Sequence, residues 1–321
     1  MEITLANQFL QATISSCGAQ LLSLKDLSFG KGTSGSEASG VEYIWNGNPS
    51  VWKFRAPILF PIVGRLKAGY FLWQGKEYHL PNHGFARDLE HSVVEEEKDR
   101  VVWRLQDTPY TREFFPWPFV LETEYQLVDS TLVFRTTVTN PGQQELAFSL
   151  GSHTGLAYPW KGFRKEDYYL QFQLADQQNE VPRMVASSEG GFVLGTWSGE
   201  ANAADTGFQL ETAAYPHIQE GKITLQDGLF GGGHMLTGVT SQWVALVEGT
   251  TGRQVRVNTA GFPYVVLWQS ASPTEPFVCI EPWFGLPDWD GASHEWERKP
   301  GLVRLEPGNS FSCHQSLEIV P

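Results

Sequence analysis

Three observations make this chain an all-β protein, built as a large antiparallel sandwich or barrel. Its apolar residues recur at every second position rather than every 3.6. No stretch of a dozen residues or more shows a convincing amphipathic helix. Finally, 32 glycines and 19 prolines supply turns at short intervals. In chain order, the first clear hairpin is Tyr70–Leu80, turning at Gln74-Gly75. Two valine-rich runs follow, separated by Glu97-Lys98-Asp99. A single helical turn is plausible around Pro109–Phe114. Val120–Val128 then precedes the clearest strand, where Leu132, Phe134, Thr136 and Val138 alternate with Val133, Arg135 and Thr137. Asn140-Pro141-Gly142 ends it. Further strand runs are Tyr168–Leu174, Trp243–Val247, Arg253–Asn258, Tyr264–Trp268 and Phe311–Ile319.

The 321 residues form one expected domain, 1–321, with no internal repeat and no dividing linker. Gly30–Gly40 has linker composition but sits too near the start to separate two domains, so a surface loop is expected there. At 41% hydrophobic and 18% charged residues, the chain can bury a sizeable core. Its 36 acidic and 23 basic residues give a net charge of −13, which argues against nucleic-acid or anionic-membrane partners. Cys17, Cys279 and Cys313 have neither disulfide-framework nor zinc spacing. With no secretory leader pattern and no apolar run long enough to cross a bilayer, a cytoplasmic protein is expected.

Two segments concentrate the chemistry. In Leu150-Gly151-Ser152-His153-Thr154-Gly155-Leu156, a histidine stands where an apolar strand meets a glycine-flanked turn. In Cys279-Ile280-Glu281-Pro282-Trp283-Phe284-Gly285, a glutamate lies in the least polar stretch of the C-terminal third. Burying an unpaired carboxylate costs several kcal/mol, so Glu281 needs a partner or a task. A dry pocket would move both groups toward neutral pKa values, where one can donate a proton while the other accepts. The structural alternatives are a backbone-bonded core histidine and a glutamate paired with arginine. Pro81-Asn82-His83-Gly84-Phe85-Ala86-Arg87-Asp88 has the make-up of a polar binding loop. Arg65 ends the apolar run Ala56–Gly64 and could bind ligand hydroxyls or an oxyanion. For Arg65 and Arg87 individually, a surface ion pair is the plainer reading.

The segments Leu59-Phe60-Pro61-Ile62-Val63-Gly64-Arg65, His83-Gly84-Phe85-Ala86-Arg87, Gly151-Ser152-His153 and Glu281-Pro282-Trp283, in that order, resemble the aldose 1-epimerase (galactose mutarotase) family, closest to its LacX-like branch. The resemblance spans essentially the whole chain. It implies the galactose mutarotase-like supersandwich, a large antiparallel β-sandwich with a sugar cleft. It also implies His153 as general acid and Glu281 as general base, with Arg65 and His83 binding sugar hydroxyls. Asp227 resembles a family aspartate that holds a sugar hydroxyl. Two departures stand out: Thr154 follows the histidine where the family usually has proline, and Gly231-Gly232-Gly233-His234 is unusually rich in glycine near Asp227.

The activity implied is interconversion of the α and β anomers of an aldohexose by ring opening and closing, with His153 entering charged. It needs no metal, nucleotide or other cofactor, and a monomer or homodimer would suffice. Arg65, Lys67 and Arg87 keep a hexose 6-phosphate open as substrate. Among the twelve tryptophans, Trp283 and Trp289 are singled out for stacking on sugar. Rival readings are a non-catalytic sugar-binding protein, a glycoside hydrolase pairing Glu281 with Asp288 or Asp290, and a metal enzyme using His83, His153 and Glu281.

Overall fold

The computed structural model describes residues 1–27, 40–173, 182–197, 207–270, 272 and 274–321. The glycine-rich stretch 30–40, expected to be a loop, lies outside the described residues except for Gly40. The fold is all-β, and the described helical elements are five three-residue 3-10 turns. One of these, Thr111–Glu113, falls where a single turn was expected. Among the described residues, no helix is long and apolar enough to cross a membrane.

Among the described residues, two large sheets, a four-stranded one (Glu2–Ala6, Leu10–Ser15, Leu21–Asp26 and Val41–Glu42) and three two-stranded ones organise the fold. The nine-stranded sheet runs Lys222–Thr224, Tyr168–Phe172, Trp243–Glu248, Gln254–Asn258, Ser310–Val320, Thr131–Thr139, Val120–Val128, Arg100–Gln106 and Ser92–Glu96. Its central ladders are antiparallel and long; Thr131–Thr139, for example, pairs along its full length with both Val120–Val128 and Ser310–Val320. The alternation read from sequence is realised here. Leu132, Phe134, Thr136 and Val138 are buried, while Arg135 faces out. The Tyr70–Leu80 hairpin also forms, with Gln74 and Gly75 both at positive φ as a tight two-residue turn requires.

The eight-stranded sheet runs Thr212–Ala214, Arg183–Val185, His234–Thr237, Tyr264–Gln269, Phe277–Phe284, Leu150–Ser152 and Ile58–Leu59, with Thr154–Ala157 also pairing with Phe277–Phe284. Apolar side chains of both sheets form one core, including Trp103, Tyr125, Leu170 and Leu246 from the first and Leu267, Val278 and Ile280 from the second. Each such fully buried side chain contributes roughly 1.5–3 kcal/mol relative to exposure. Phe277–Phe284 is buried along nearly its whole length because both of its faces are covered. Val278 and Ile280 point into the shared core, so Cys279, Glu281 and Trp283 point the other way. That second face floors a cavity.

Candidate active site

Strand register brings the two chemical segments together. Gly151 pairs with Trp283, and Thr154 pairs with Ile280. An antiparallel register that continues between these pairs sets His153 directly across from Glu281. Cross-strand neighbours have Cβ atoms only about 4.5–5.5 Å apart, and the side chains do meet, His153 Nε2 lying 3.3 Å from Glu281 Oε1. On the far side of Glu281, Val266 is its ladder partner, and Met235 is Val266's. His153, Glu281, Val266 and Met235 therefore form one row across the sheet, and all four line the same cavity of about 430 Å³. That volume suits a small ligand.

The glycines flanking His153 have a steric role. Gly151 and Gly155 lie on the same face as His153. A Cβ at Gly151 would come within 2.6 Å of the Trp283 ring, and one at Gly155 within 3.0 Å of the Trp52 ring. Their absence lets both tryptophans close over the floor. Trp52 lies 4.6 Å from the His153 ring, centroid to centroid, and Trp268 meets that ring edge-on at 5.5 Å.

His83 forms a cavity wall through an unusual backbone arrangement. At φ 64° it sits in the left-handed region, held by two reciprocal bonds to one residue. Its N–H donates to the Gly64 carbonyl at 2.7 Å, and the Gly64 N–H donates to His83 Nδ1 at 3.0 Å. An Nδ1 that accepts leaves the ring proton on Nε2, so His83 offers the site a fixed neutral donor. Burial and the neighbouring His153, Arg87 and Arg65 push its pKa well below the usual value, which keeps it neutral. Next to Gly64, Arg65 also lines the cavity. Its carbonyl accepts from the Asp288 N–H at 2.9 Å, and Asp288 is buried against Lys299 at 3.0 Å while accepting from the Lys67 N–H at 2.8 Å. Arg87 stacks on Phe54 at 4.3 Å and donates to the Asn82 carbonyl at 2.7 Å.

The floor is polar but unsatisfied. Both Glu281 oxygens, His153 Nδ1 and the Trp283 indole nitrogen are buried without a hydrogen-bond partner. Buried polar groups are nearly always paired, so such a cluster marks a place reserved for a ligand. Burial pushes the Glu281 carboxyl well above the usual carboxylate range; the nearby Trp283 indole, out of hydrogen-bonding geometry, pulls the other way. Burial, helped by Arg87, lowers His153 to about 3. Burial thus disfavours the charged form of both groups.

Of the residues singled out in the sequence, Arg65, His83, Arg87, His153, Glu281 and Trp283 all line this one cavity. Asp227 does not. It forms an ion pair with Lys165 in a half-exposed turn, outside the residues that line the cavity. Gly232 and Gly233, a few residues on, do border the cavity. Trp289 also falls outside, packing edge-on against Phe208 at 5.5 Å. The hydrolase pairing fails for a related reason, since Asp288 is committed to Lys299 and Asp290 is exposed. For a metal, the tighter donor group is His153, Cys279 and Glu281 rather than the His83 set. Sequence reasoning missed Trp52, Phe54 and Trp268 as lining residues. Trp268 had a usable signal, an aromatic in the strand Tyr264–Trp268, but its facing depends on the register Trp268 to Cys279. Trp52 reaches in from an irregular segment and had none.

Known proteins resemble this chain over nearly its whole length. A family model described as Aldose 1-epimerase matches residues 1–318. The chain is similar to Protein LacX, plasmid, of Lactococcus lactis subsp. lactis, at 25% identity over 316 residues covering 96% of this chain and 95% of the relative. It is similar in structure to a galactose mutarotase related enzyme from Lactobacillus acidophilus, with TM-score 0.82, 29% identity, and coverage of 100% of this chain and 98% of that one. A galactose mutarotase-like protein from Lactobacillus casei ATCC 334 superposes with TM-score 0.83 at 25% identity, each chain fully covered.

Proposed function

The chain belongs to the aldose 1-epimerase family, and from that premise we propose that it interconverts the α and β anomers of a free aldohexose, using Glu281 and His153 as its proton-transfer pair. The observation that carries this reading is the 3.3 Å approach of His153 Nε2 to Glu281 Oε1 on the floor of one cavity, with the carboxylate otherwise unpartnered. Ring opening must remove the C1 hydroxyl proton and protonate the ring oxygen, and ring closure reverses both steps. One proton shared by two groups is the inventory that this needs.

The sugar's hydroxyls donate to the Glu281 carboxylate and favour its ionised form, leaving His153 as the protonated partner. Glu281 then takes the C1 hydroxyl proton while His153 gives its proton to O5. Rotation about the C1–C2 bond of the open aldehyde presents the other face, and closure returns both protons. The neutral His83 donates a hydrogen bond to a sugar oxygen, Arg65 and Arg87 bind hydroxyls at the wall, and Trp283 packs against the ring. General acid or base help is worth roughly 10²–10⁴-fold per group, enough for a reaction that water already permits.

Polarimetric mutarotation of glucose and galactose tests the proposal. Glu281→Gln should lose about 10²–10⁴ in kcat while still binding sugar. An unchanged rate in that variant would overturn the assignment, and sugar binding with no acceleration by the native chain would leave a sugar-binding protein instead. A second substrate reading has its own support. Among the described residues lining the cavity, Arg65 and Arg87 are cationic and Glu281 is the one acidic group, which burial biases toward its neutral form. That surplus of positive charge in a chain of net charge −13 suits a phosphorylated aldose. Glucose 6-phosphate, assayed beside glucose, decides between them through kcat/KM.

A further inference from the structure

The acid/base pair has a third neighbour that anomer exchange does not use. Cys279 lies two residues before Glu281 on the same strand and so shares its face. Its thiol is free and fully buried, among Trp45, Phe277, Trp52 and Trp268. One donor atom each from His153, Cys279 and Glu281 lie within 4.8 Å of one another, all three residues buried. Both carboxylate oxygens also lack the hydrogen-bond partner that a buried group needs, and His153 Nε2 faces one of them at 3.3 Å.

We propose that the cavity floor captures a thiophilic divalent cation of the zinc class through His153, Cys279 and Glu281, and that capture shuts off the acid/base pair. Sulfur, imidazole and carboxylate are a donor set for zinc or cadmium, and a thiol excludes magnesium and calcium as natural occupants. Zinc bonds of about 2.3 Å to sulfur and about 2.0–2.2 Å to nitrogen and oxygen put ligands about 3.3–3.8 Å apart, so the donors need to close in by about 1 Å. Three protein ligands leave the fourth position open toward the cavity, where water or a sugar oxygen completes the tetrahedron. On binding, the metal displaces the thiol proton and the carboxyl proton to solvent; nothing is oxidised or reduced. A carboxylate and an imidazole serving as ligands can no longer pass protons to a sugar. The cation is therefore an inhibitor, competing with substrate for the same floor.

The proposal is independent of which sugar the protein accepts, because its primary test uses no sugar. Cys17 is exposed, so the full-length Cys17→Ser chain is the working background. Titration with cadmium should give a thiolate-to-cadmium charge-transfer absorption in the ultraviolet that saturates at one ion per chain. Cys279→Ser on that background should abolish the band, and Glu281→Gln should weaken cadmium affinity at least tenfold while keeping it. The second variant retains the thiol and serves if the first does not fold. Where mutarotation is measurable, zinc should inhibit it competitively with sugar, and Cys279→Ser should raise the half-inhibiting zinc concentration at least tenfold relative to that variant's own uninhibited rate. A band that persists in Cys279→Ser, an affinity indifferent to Glu281→Gln, or no band at millimolar cadmium with the chain still folded would overturn the site.

Discussion

Two buried glutamates at strand positions, Glu248 and Glu281, are 0% and 1% exposed, and their surroundings are opposite. Glu248 ends a strand of the nine-stranded sheet and caps its own turn. Its oxygens accept from the backbone N–H and hydroxyl of Thr250 and from those of Thr251, at 2.6–2.9 Å. Burial works to raise its pKa, but those four bonds outweigh it and hold the group below the usual value. Glu281 sits mid-strand in the eight-stranded sheet with no bond to either oxygen, and burial raises it. A carboxylate fully supplied with donors is finished chemistry and does structural work. One left without them keeps its free energy available to a ligand, at a cost in stability that the rest of the fold must carry.

The largest expected effect separates the two directly. Glu281→Gln should cut mutarotation by about 10²–10⁴ and leave the fold intact, whereas Glu248→Ala should leave kcat unchanged; a catalytic loss at Glu248 would dissolve the contrast. Next in size is Asp288, the buried acid that ties the Arg65–Lys67 backbone to Lys299. Removing one partner of a buried ion pair costs about 3–5 kcal/mol. Asp288→Asn should therefore lower the denaturation midpoint and raise KM more than it lowers kcat, because Lys299 loses its counter-charge and the segment that carries Arg65 and Lys67 is held less firmly. Glu248→Ala should cost about 1–3 kcal/mol in urea unfolding by stranding donors in a buried turn.

The last effect sharpens the comparison by its sign rather than its size. Glu281 has a folded pKa above its ordinary 4.5, so the unfolded chain gives up that proton first. Between the two values, rising pH destabilises the native chain, and Glu281→Gln should gain stability over it as pH climbs above 4.5. His153 has the mirror window. Its folded value is about 3 against an ordinary 6.5, so its burden grows as pH falls from 6.5 toward 3. Thermal unfolding of the native chain and Glu281→Gln across pH 4–8 reads this, and parallel curves would contradict it.

Local order was legible in the sequence where each residue's burial follows from its own neighbours. The alternation through Leu132 and Val138 gave a strand, and Gln74-Gly75 gave a hairpin. Contacts between distant segments were not, because side-chain period and turn residues say nothing of register. That His153 stands across from Glu281 is a consequence of Gly151 pairing with Trp283, and the family resemblance alone placed the two together beforehand. The same gap explains which residues fall outside the cavity lining. Asp227 and Trp289 sit close in sequence to cavity residues, yet Lys165 draws one away and Phe208 packs the other elsewhere. Trp52 stacks on His153 from 101 positions away, beyond the reach of any local pattern.

The central claim is that His153 and Glu281 act as one unit sharing one proton. A double-mutant cycle on mutarotation rates tests it most directly, with His153→Gln, Glu281→Gln and the two combined. Groups that work as a unit are strongly non-additive, so the combined variant should be no more than a few-fold slower than the slower single one. Losses that multiply across the cycle would contradict the account, since each side chain would then be acting alone.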